Sequence, residues 1–194
     1  MINRDGSAVE LPPIILASGS PRRAEILESV GWQFVKQVPD VDESVLSGED
    51  PSDYVRRLAG EKALAICDPN SNDLVLAADT TVVIDGEIIG KPVDRDDARQ
   101  MIERLSGSWH EVLTGVAVAR SGITKIDLQS TRVKFAPMDA GEIEFLVERG
   151  DPLDKAGGYA VQAQAALFIE AIEGDYWNVV GLPISLVYRL VFDK

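Results

Sequence analysis

Leu16-Ala17-Ser18-Gly19-Ser20-Pro21-Arg22-Arg23-Ala24-Glu25-Ile26-Leu27 joins a short apolar run to an amphipathic one across a turn of small residues. Pro13 to Ala17 reads as a buried strand, and Ala24 to Val30 as a helix with Ile26, Leu27 and Val30 on one face. Ser20 stands at the N-cap position and Pro21 at the first helical position, where a missing N–H costs nothing. A strand that runs through a small-residue turn into a helix N-terminus is an anion site in outline, because the first N–H groups of the helix have no partner within it.

The charge on this helix is the reverse of the usual order. Three other helix starts, Asp50-Pro51-Ser52-Asp53, Asp94-Arg95-Asp96-Asp97 and Asp139-Ala140-Gly141-Glu142, place an acidic residue three positions after the cap, which suits the helix dipole. The first helix instead puts Arg22 and Arg23 at its positive end, a cost of a few tenths to about 1 kcal/mol. A chain that charges three helices favourably and a fourth unfavourably reserves that fourth end for a visiting anion. The plainer alternative is a surface pair of arginines neutralising nearby carboxylates.

Outward from this unit, Trp32 to Val38 reads as a second strand and Asp40-Val41-Asp42-Glu43-Ser44 as a solvated acidic loop. In the helix from Asp50 to about Cys67, Val55, Leu58, Lys62 and Ile66 recur at helical spacing, so Lys62 lies within the apolar stripe. Its ammonium either snorkels to water or points into a cleft between two layers. Leu74 to Ile84 is the strongest strand and apolar enough to be buried on both faces, yet Asp79-Thr80-Thr81 stands at its centre. An unpaired carboxylate there is expensive. Asp79 is therefore either bonded by neighbouring amides or placed at a cleft floor near cations or a metal. Asp85-Gly86 turns the chain into a short strand, Glu87 to Gly90, after which Lys91-Pro92 leaves the sheet. Lys91 either faces the same cleft or is a plain surface lysine.

The second half continues with a helix from Asp94 to Leu105, strands over Val112 to Ala119 and Ile123 to Phe135, and a helix from Asp139 to Arg149. A loop over 151–162, a strand from Ala166 to Ile172 and a helix from Val179 to Phe192 behind an Asn178 cap complete it. Pro183 argues for a true helix start near Leu182. The fold class is α/β, a mixed twisted sheet with flanking helices and two lobes around a central cleft. Residues 1–11 read as a loose N-terminal extension and residues 12–194 as a single domain of those two lobes.

Composition narrows the chemistry. The 194 residues are 45% hydrophobic and 26% charged, ordinary for a globular protein. The net charge of −13 argues against a nucleic-acid polymer as partner and leaves room for a small phosphorylated ligand held by a few cations. Cys67 is the only cysteine and His110 the only histidine. Disulfide frameworks, thiolate cages, Ser-His-Asp and Cys-His catalysis and multi-His zinc sites are thereby excluded. His110 itself reads as structural. Carboxylates, Lys, Arg and hydroxyls are what remains. No run reaches the ~18 apolar residues of a membrane span, and the first dozen residues lack a signal-peptide core, so the expected compartment is the cytoplasm.

Taken together, Leu16 to Arg23, Glu61-Lys62-Ala63, Ala78-Asp79-Thr80, Gly90-Lys91-Pro92, Leu105-Ser106-Gly107, Asp154-Lys155-Ala156-Gly157 and Gly181-Leu182-Pro183 resemble, in order, the Maf family of nucleoside triphosphate pyrophosphatases. The resemblance implies an inosine-triphosphatase-like α/β fold, hydrolysis of a nucleoside triphosphate to the monophosphate and pyrophosphate, and a divalent metal. It makes Arg23, Lys62 and Lys91 triphosphate-binding cations, with Lys91 also counted among the catalytic residues. Ser18 and Ser20 become part of the phosphate loop, Asp79 the general base and Glu43 an acidic residue needed for activity. A triphosphate carries about four negative charges that hydrolysis needs neutralised and held in line. Mg²⁺ suits phosphate oxygens best, with Mn²⁺ and Co²⁺ as the other candidates, and Glu43 and Asp79 are its expected ligands. Asp79 would take a proton from water or hold the metal that acidifies it.

Arg22, Thr80 and Gln162 are the positions tied to substrate choice in the family, and their identities resemble the branch acting on dTTP and UTP. The branch preferring 7-methyl-GTP has tryptophan at the place of Arg22. A glutamine amide offers a donor and an acceptor to the imide edge of uracil or thymine. Gln162 is followed by Ala163-Gln164-Ala165 where the family usually has Gly-x-Gly, so the loop must shift if either position needs a positive φ. The resemblance also implies a homodimer. Competing expectations are a pyrophosphatase for dITP or XTP, a nucleotide-binding regulator of cell division without chemistry, and a generic acidic interaction protein.

Overall fold

A computed structural model describes residues 14–193. The extension expected over residues 1–11 lies outside the described residues. The elements follow the chain as β1 (Ile14–Ala17), α1 (Pro21–Ser29), β2 (Phe34–Lys36), α2 (Pro51–Ile66), β3 (Leu74–Ile84), β4 (Glu87–Ile89), α3 (Arg95–Leu105), β5 (Trp109–Arg120), β6 (Ile123–Phe135), α4 (Ala140–Arg149), β7 (Ile169–Glu173), α5 (Tyr176–Val180) and α6 (Ile184–Phe192). All seven strands form one mixed sheet of order β2-β1-β3-β5-β6-β7, with β4 paired to β3. The long β5–β6 hairpin thus extends the same sheet that carries the first strand–helix units.

β3 is covered on both faces, as its run of apolar residues requires. Leu74, Leu76, Ala78, Val82 and Ile84 enter the larger core, with Ile26 and Leu27 of α1, Ile102 and Leu105 of α3, Leu146 of α4 and Leu186 of α6. The alternate residues Val75 and Ala77 pack with Ala59 and Ala63 of α2, together with Ala117 and Ala119 of β5. The α2 side is lined by small residues, and one glycine there is obligatory. A Cβ on Gly115 would lie 2.2 Å from the Val55 carbonyl oxygen, so α2 sits on β5 at a distance only glycine permits.

The register of β3 opens the cleft. β1 pairs with residues 74–77 of β3, and β4 pairs with residues 82–84 on the same side, because β5 occupies the other. Ala78 to Thr81 therefore have a strand neighbour only in β5. The C-terminal ends of β1 and β4 both stop at this gap, one from each direction. They deliver Ser18 to Arg23 and Gly90-Lys91 to it. A ligand crevice beyond carboxyl strand ends is what an open α/β sheet is built to provide.

Several sequence expectations shift. Ser20 does occupy the N-cap of α1, yet its side chain makes no cap bond, and its own N–H donates to Ser18 Oγ at 3.1 Å. The caps Asp50, Asp94 and Asp139 all accept from their helices, which sharpens the contrast with α1. The strand expected from Ala166 begins only at Ile169. The Ala163 and Ala165 carbonyls accept from Ala166 and Phe168, closing tight turns, and Ala165 is buried in the core. The single C-terminal helix is two. Asp175, not Asn178, caps α5, whose end at Gly181 takes φ +119. Pro183 precedes α6 because it has no N–H to continue α5. Asn178 is fully buried, and its amide donates to the Val112 carbonyl at 2.8 Å.

Candidate active site

Ser18, Ser20, Arg22, Arg23, Glu43, Lys62, Asp79, Thr80, Lys91 and Gln162, drawn from distant parts of the chain, all line one cleft of about 360 Å³. Lys62 settles its two alternatives: it is 7% exposed and points into the cleft rather than snorkelling outward. Its Nζ lies 2.6 Å from Asp79 Oδ1 and 2.6 Å from Glu43 Oε1. Asp79 is equally buried, and its partner is this ammonium, which is what lets a carboxylate persist in the central strand. Lys91 Nζ stands 3.7 Å from Glu43 Oε2. Burial works against ionisation of Glu43, but the hydrogen bond from Lys62 and the charges of Lys62, Lys91 and Arg23 outweigh it, holding its pKa below the ordinary value.

Arg23 is fixed by three hydrogen bonds. Nε donates to the Gly181 carbonyl at 2.8 Å, Nη1 to Ser18 Oγ at 3.1 Å, and Nη2 to Thr80 Oγ1 at 3.1 Å. Two of its five N–H groups remain for a ligand. Thr80 passes the chain on to Thr114 Oγ1 at 3.0 Å, which donates to the Asn178 carbonyl at 3.1 Å. Desolvation lowers the pKa of Arg23, with Asp79 pulling the other way, and an arginine stays charged regardless. The break between α5 and α6 thus has a local use: it presents the Gly181 carbonyl to the guanidinium.

Arg22 spans the cleft mouth. Its Nη1 donates to Asp154 Oδ2 at 2.8 Å and its Nη2 to the Asp154 carbonyl at 3.2 Å. Asp154 also accepts from the buried Lys155 at 2.5 Å, and Lys155 reaches back to the Asp151 carbonyl. The same loop ties to the lysine strand end, where the Gly157 N–H donates to the Gly90 carbonyl at 2.9 Å. Gly157 has φ +68, and a Cβ there would press within 2.9 Å of Val82, so position and conformation both call for glycine. Gln162 is exposed on the rim. Ala163 has φ −117, and neither Ala163 nor Ala165 takes a positive φ, so these alanines put no strain on the loop.

His110 is structural, as expected: it is buried, Nε2 meets the Tyr159 hydroxyl at 2.6 Å, and desolvation lowers its pKa to about 4. Sequence reasoning missed Thr114, Asp154, Lys155, Glu49, Tyr54 and Arg57. Asp154-Lys155 was visible as a motif without a role. Arg57 and Glu61, four apart on one helix, look like an ordinary surface pair.

Among the described residues no group of three or more His, Cys, Asp or Glu is placed to hold a metal by itself, and no helix is long and apolar enough to cross a membrane. The cleft at a gap in a mixed sheet, edged by a helix N-terminus and walled by fixed cations, defines an α/β protein built to grip a small polyanion. Its architecture is shared with the solved HAM1 protein of Coxiella burnetii, with a TM-score of 0.54 over 94% of this chain and 98% of that one, at 17% identity. The chain belongs to the Maf family, whose model, described as Maf-like protein, matches residues 13–193. It is 50% identical over 178 residues to the dTTP/UTP pyrophosphatase of Symbiobacterium thermophilum, covering 92% of each chain. It is 49% identical over 178 residues to that of Anaeromyxobacter dehalogenans, covering 90% of each.

Proposed function

We propose that this protein hydrolyses nucleoside triphosphates to the monophosphate and pyrophosphate, with dTTP and UTP as preferred substrates. The observation that carries the proposal is the convergence of Arg23, Lys62 and Lys91 on one cleft beside Asp79. The names of the Symbiobacterium and Anaeromyxobacter relatives support the choice of substrate.

Arg23 is oriented before any ligand arrives, so its two spare N–H groups meet phosphate oxygens with little reorganisation. Lys62 has one proton left after its bonds to Asp79 and Glu43. Lys91, more than half exposed, has the freedom to close on the polyphosphate. Asp79 accepts the proton of the attacking water. Gln162 on the rim reads the imide edge of the base, and Arg22 and Thr80 bound the same space.

The carboxylates fit a divalent metal. Lys62 takes one oxygen of each, so Asp79 Oδ2 and Glu43 Oε2 remain as hard donors, the latter once Lys91, 3.7 Å away, turns to the polyphosphate, and with only two carboxylates at hand the phosphate and water would complete the set. When bound there, Mg²⁺ supplies charge neutralisation and orientation of the phosphates, with Mn²⁺ or Co²⁺ as substitutes.

A panel of dTTP, UTP, CTP, 7-methyl-GTP, dITP and XTP, read by pyrophosphate release with Mg²⁺, Mn²⁺ or chelator, tests this. Release from dTTP and UTP first, abolished by chelator and restored by Mg²⁺, is the expected result. Preference for dITP, XTP or 7-methyl-GTP overturns the substrate assignment, and tight nucleotide binding without pyrophosphate release overturns the activity.

A further inference from the structure

The connection from β2 to α2, residues 37–50, contains no helix or strand, and Glu43 stands in its middle. A segment of that length does not by itself hold a carboxylate at a fixed 2.6 Å from an ammonium. The contacts that hold it come from α2. The Tyr54 hydroxyl donates to the Glu43 carbonyl at 3.0 Å, and Arg57 Nη2 donates to the Ser44 carbonyl at 3.0 Å. Arg57 also grips Glu49 with two bonds, Nε to Oε1 at 2.6 Å and Nη2 to Oε2 at 2.8 Å. Glu49 Oε2 accepts the Leu46 N–H at 3.0 Å, which folds the loop back on itself. Arg57 is steadied by the Tyr54 ring, 5.6 Å from its guanidinium carbon, and by Glu61 at 3.3 Å.

These anchors sit on the same helix as Lys62, so one rigid element fixes both the ammonium and the backbone that brings Glu43 to it. None of Glu49, Tyr54 and Arg57 lies in the larger core. Glu49 and Arg57 are half-buried, and their fork–fork pair ties the end of the acidic loop to α2.

We propose that Arg57 and Glu49, with Tyr54, are positioning residues that lock the 43–49 loop onto α2 and so set Glu43 between Lys62 and Lys91. This rests on the functional reading of the cleft given above. The groups facing Glu43 are Lys62 and Tyr54 from α2, Asp79 from β3, Lys91 after β4 and Arg23 from α1. Releasing the loop carries the Glu43 carboxylate away from three cations and opens the hydrogen bonds that hold residues 43–49.

The test uses Arg57→Lys, Glu49→Gln and Tyr54→Phe in the full chain, with pyrophosphate release from dTTP and the hydrogen exchange of the 43–49 amides as readouts. The expected fall in kcat/KM is about ten- to hundredfold for Arg57→Lys and Glu49→Gln, the scale of residues that orient a ligand-bearing group. Exchange of the Leu46 amide, held by Glu49 in the parent, rises while that of the β3 amides is unchanged. Arg57→Lys made in the Glu43→Gln background loses nothing further. Tyr54→Phe removes one oxygen and keeps the ring, so it frees the Glu43 carbonyl and speeds exchange in the loop even if a charge variant misfolds. Losses that multiply in the double variant, or loop exchange unchanged in all three, overturn the proposal. If the parent protein releases no pyrophosphate from any triphosphate, the functional reading falls, while the loop exchange still decides the clamp.

Discussion

Gly115→Ala is the substitution that joins fold to chemistry most directly. Gly115 is the β5 partner of Asp79 in the sheet register, and α2 crosses directly above it. The added methyl would sit 2.2 Å from the Val55 carbonyl oxygen, 2.5 Å from its carbon and 2.9 Å from the Arg56 nitrogen, all backbone atoms that cannot swing aside. Ordinary contact begins at 3.4 Å, so the helix must lift by about 1.2 Å at that point. Overpacking of this kind costs about 1–3 kcal/mol of stability. The same lift stretches the 2.6 Å bond between Lys62 and Asp79 beyond hydrogen-bond range, because Lys62 rides on α2 while Asp79 stays in the sheet as the cross-strand partner of Gly115. A misplacement near 1 Å at a reacting centre costs about 10²-fold in rate. Urea unfolding and kcat/KM for dTTP measure the two effects separately. Gly60→Ala on the same helix is the control: its methyl meets only the far end of the Ile126 side chain at 2.8 Å, which turns away cheaply. Helix propensity then offers up to about 1 kcal/mol in return. If Gly115→Ala matches the parent in both midpoint and kcat/KM, the close seating of α2 does not set the site and the reasoning is wrong.

Asp79→Asn is expected to abolish turnover while triphosphate binding, measured by calorimetry, persists; parent-like hydrolysis by this variant removes Asp79 from the mechanism. Arg23→Ala is expected to lower kcat/KM by about 2–4 kcal/mol in transition-state terms, and Arg23→Lys to recover little, because an ammonium cannot span Ser18, Thr80 and Gly181 together. Equal kcat/KM in the parent and the alanine variant contradicts the cation cluster. His110 gives a pH test of stability. Its folded pKa of about 4 lies below the ordinary 6.5, so the unfolded chain binds the proton first and stability falls as pH drops from 6.5 toward 4. That contribution is about 2 kcal/mol between pH 7.5 and pH 5. The fall is absent in His110→Gln, and identical pH profiles for the two proteins refute it.

Much of the fold was legible because local rules and tertiary structure agree along most of the chain. β3, β6, α2, α3 and α4 lie within a residue of where periodicity and caps place them. The failures fall where side-chain pattern is overruled by backbone partners. Ala166 to Phe168 read as the start of a strand but turn, because the Ala166 and Phe168 N–H groups donate to carbonyls three residues back. Asn178 has the chemistry of a cap and is used instead inside the core, on the Val112 carbonyl. The site was legible as a set of residues and illegible as a set of bonds. Lys62 within an apolar stripe and Asp79 within a buried strand are each anomalous alone, and they become reasonable only as partners.

What the amino-acid order determined unaided is the inventory: a carboxylate-and-cation chemistry with one idle histidine, a first helix charged for an anion, and a mixed α/β sheet. These follow from composition, from periods of two and near four, and from dipole and cap rules acting over a few residues. Only the folded molecule decided which groups meet. The gap beside Ala78 to Thr81 exists because β1 stops opposite Ala77 of β3 and β4 stops opposite Val82, and Lys62 reaches Asp79 because a glycine lets α2 lie close. Contacts between residues far apart in sequence depend on register and interlayer distance, and neither quantity is written in any local stretch of chain.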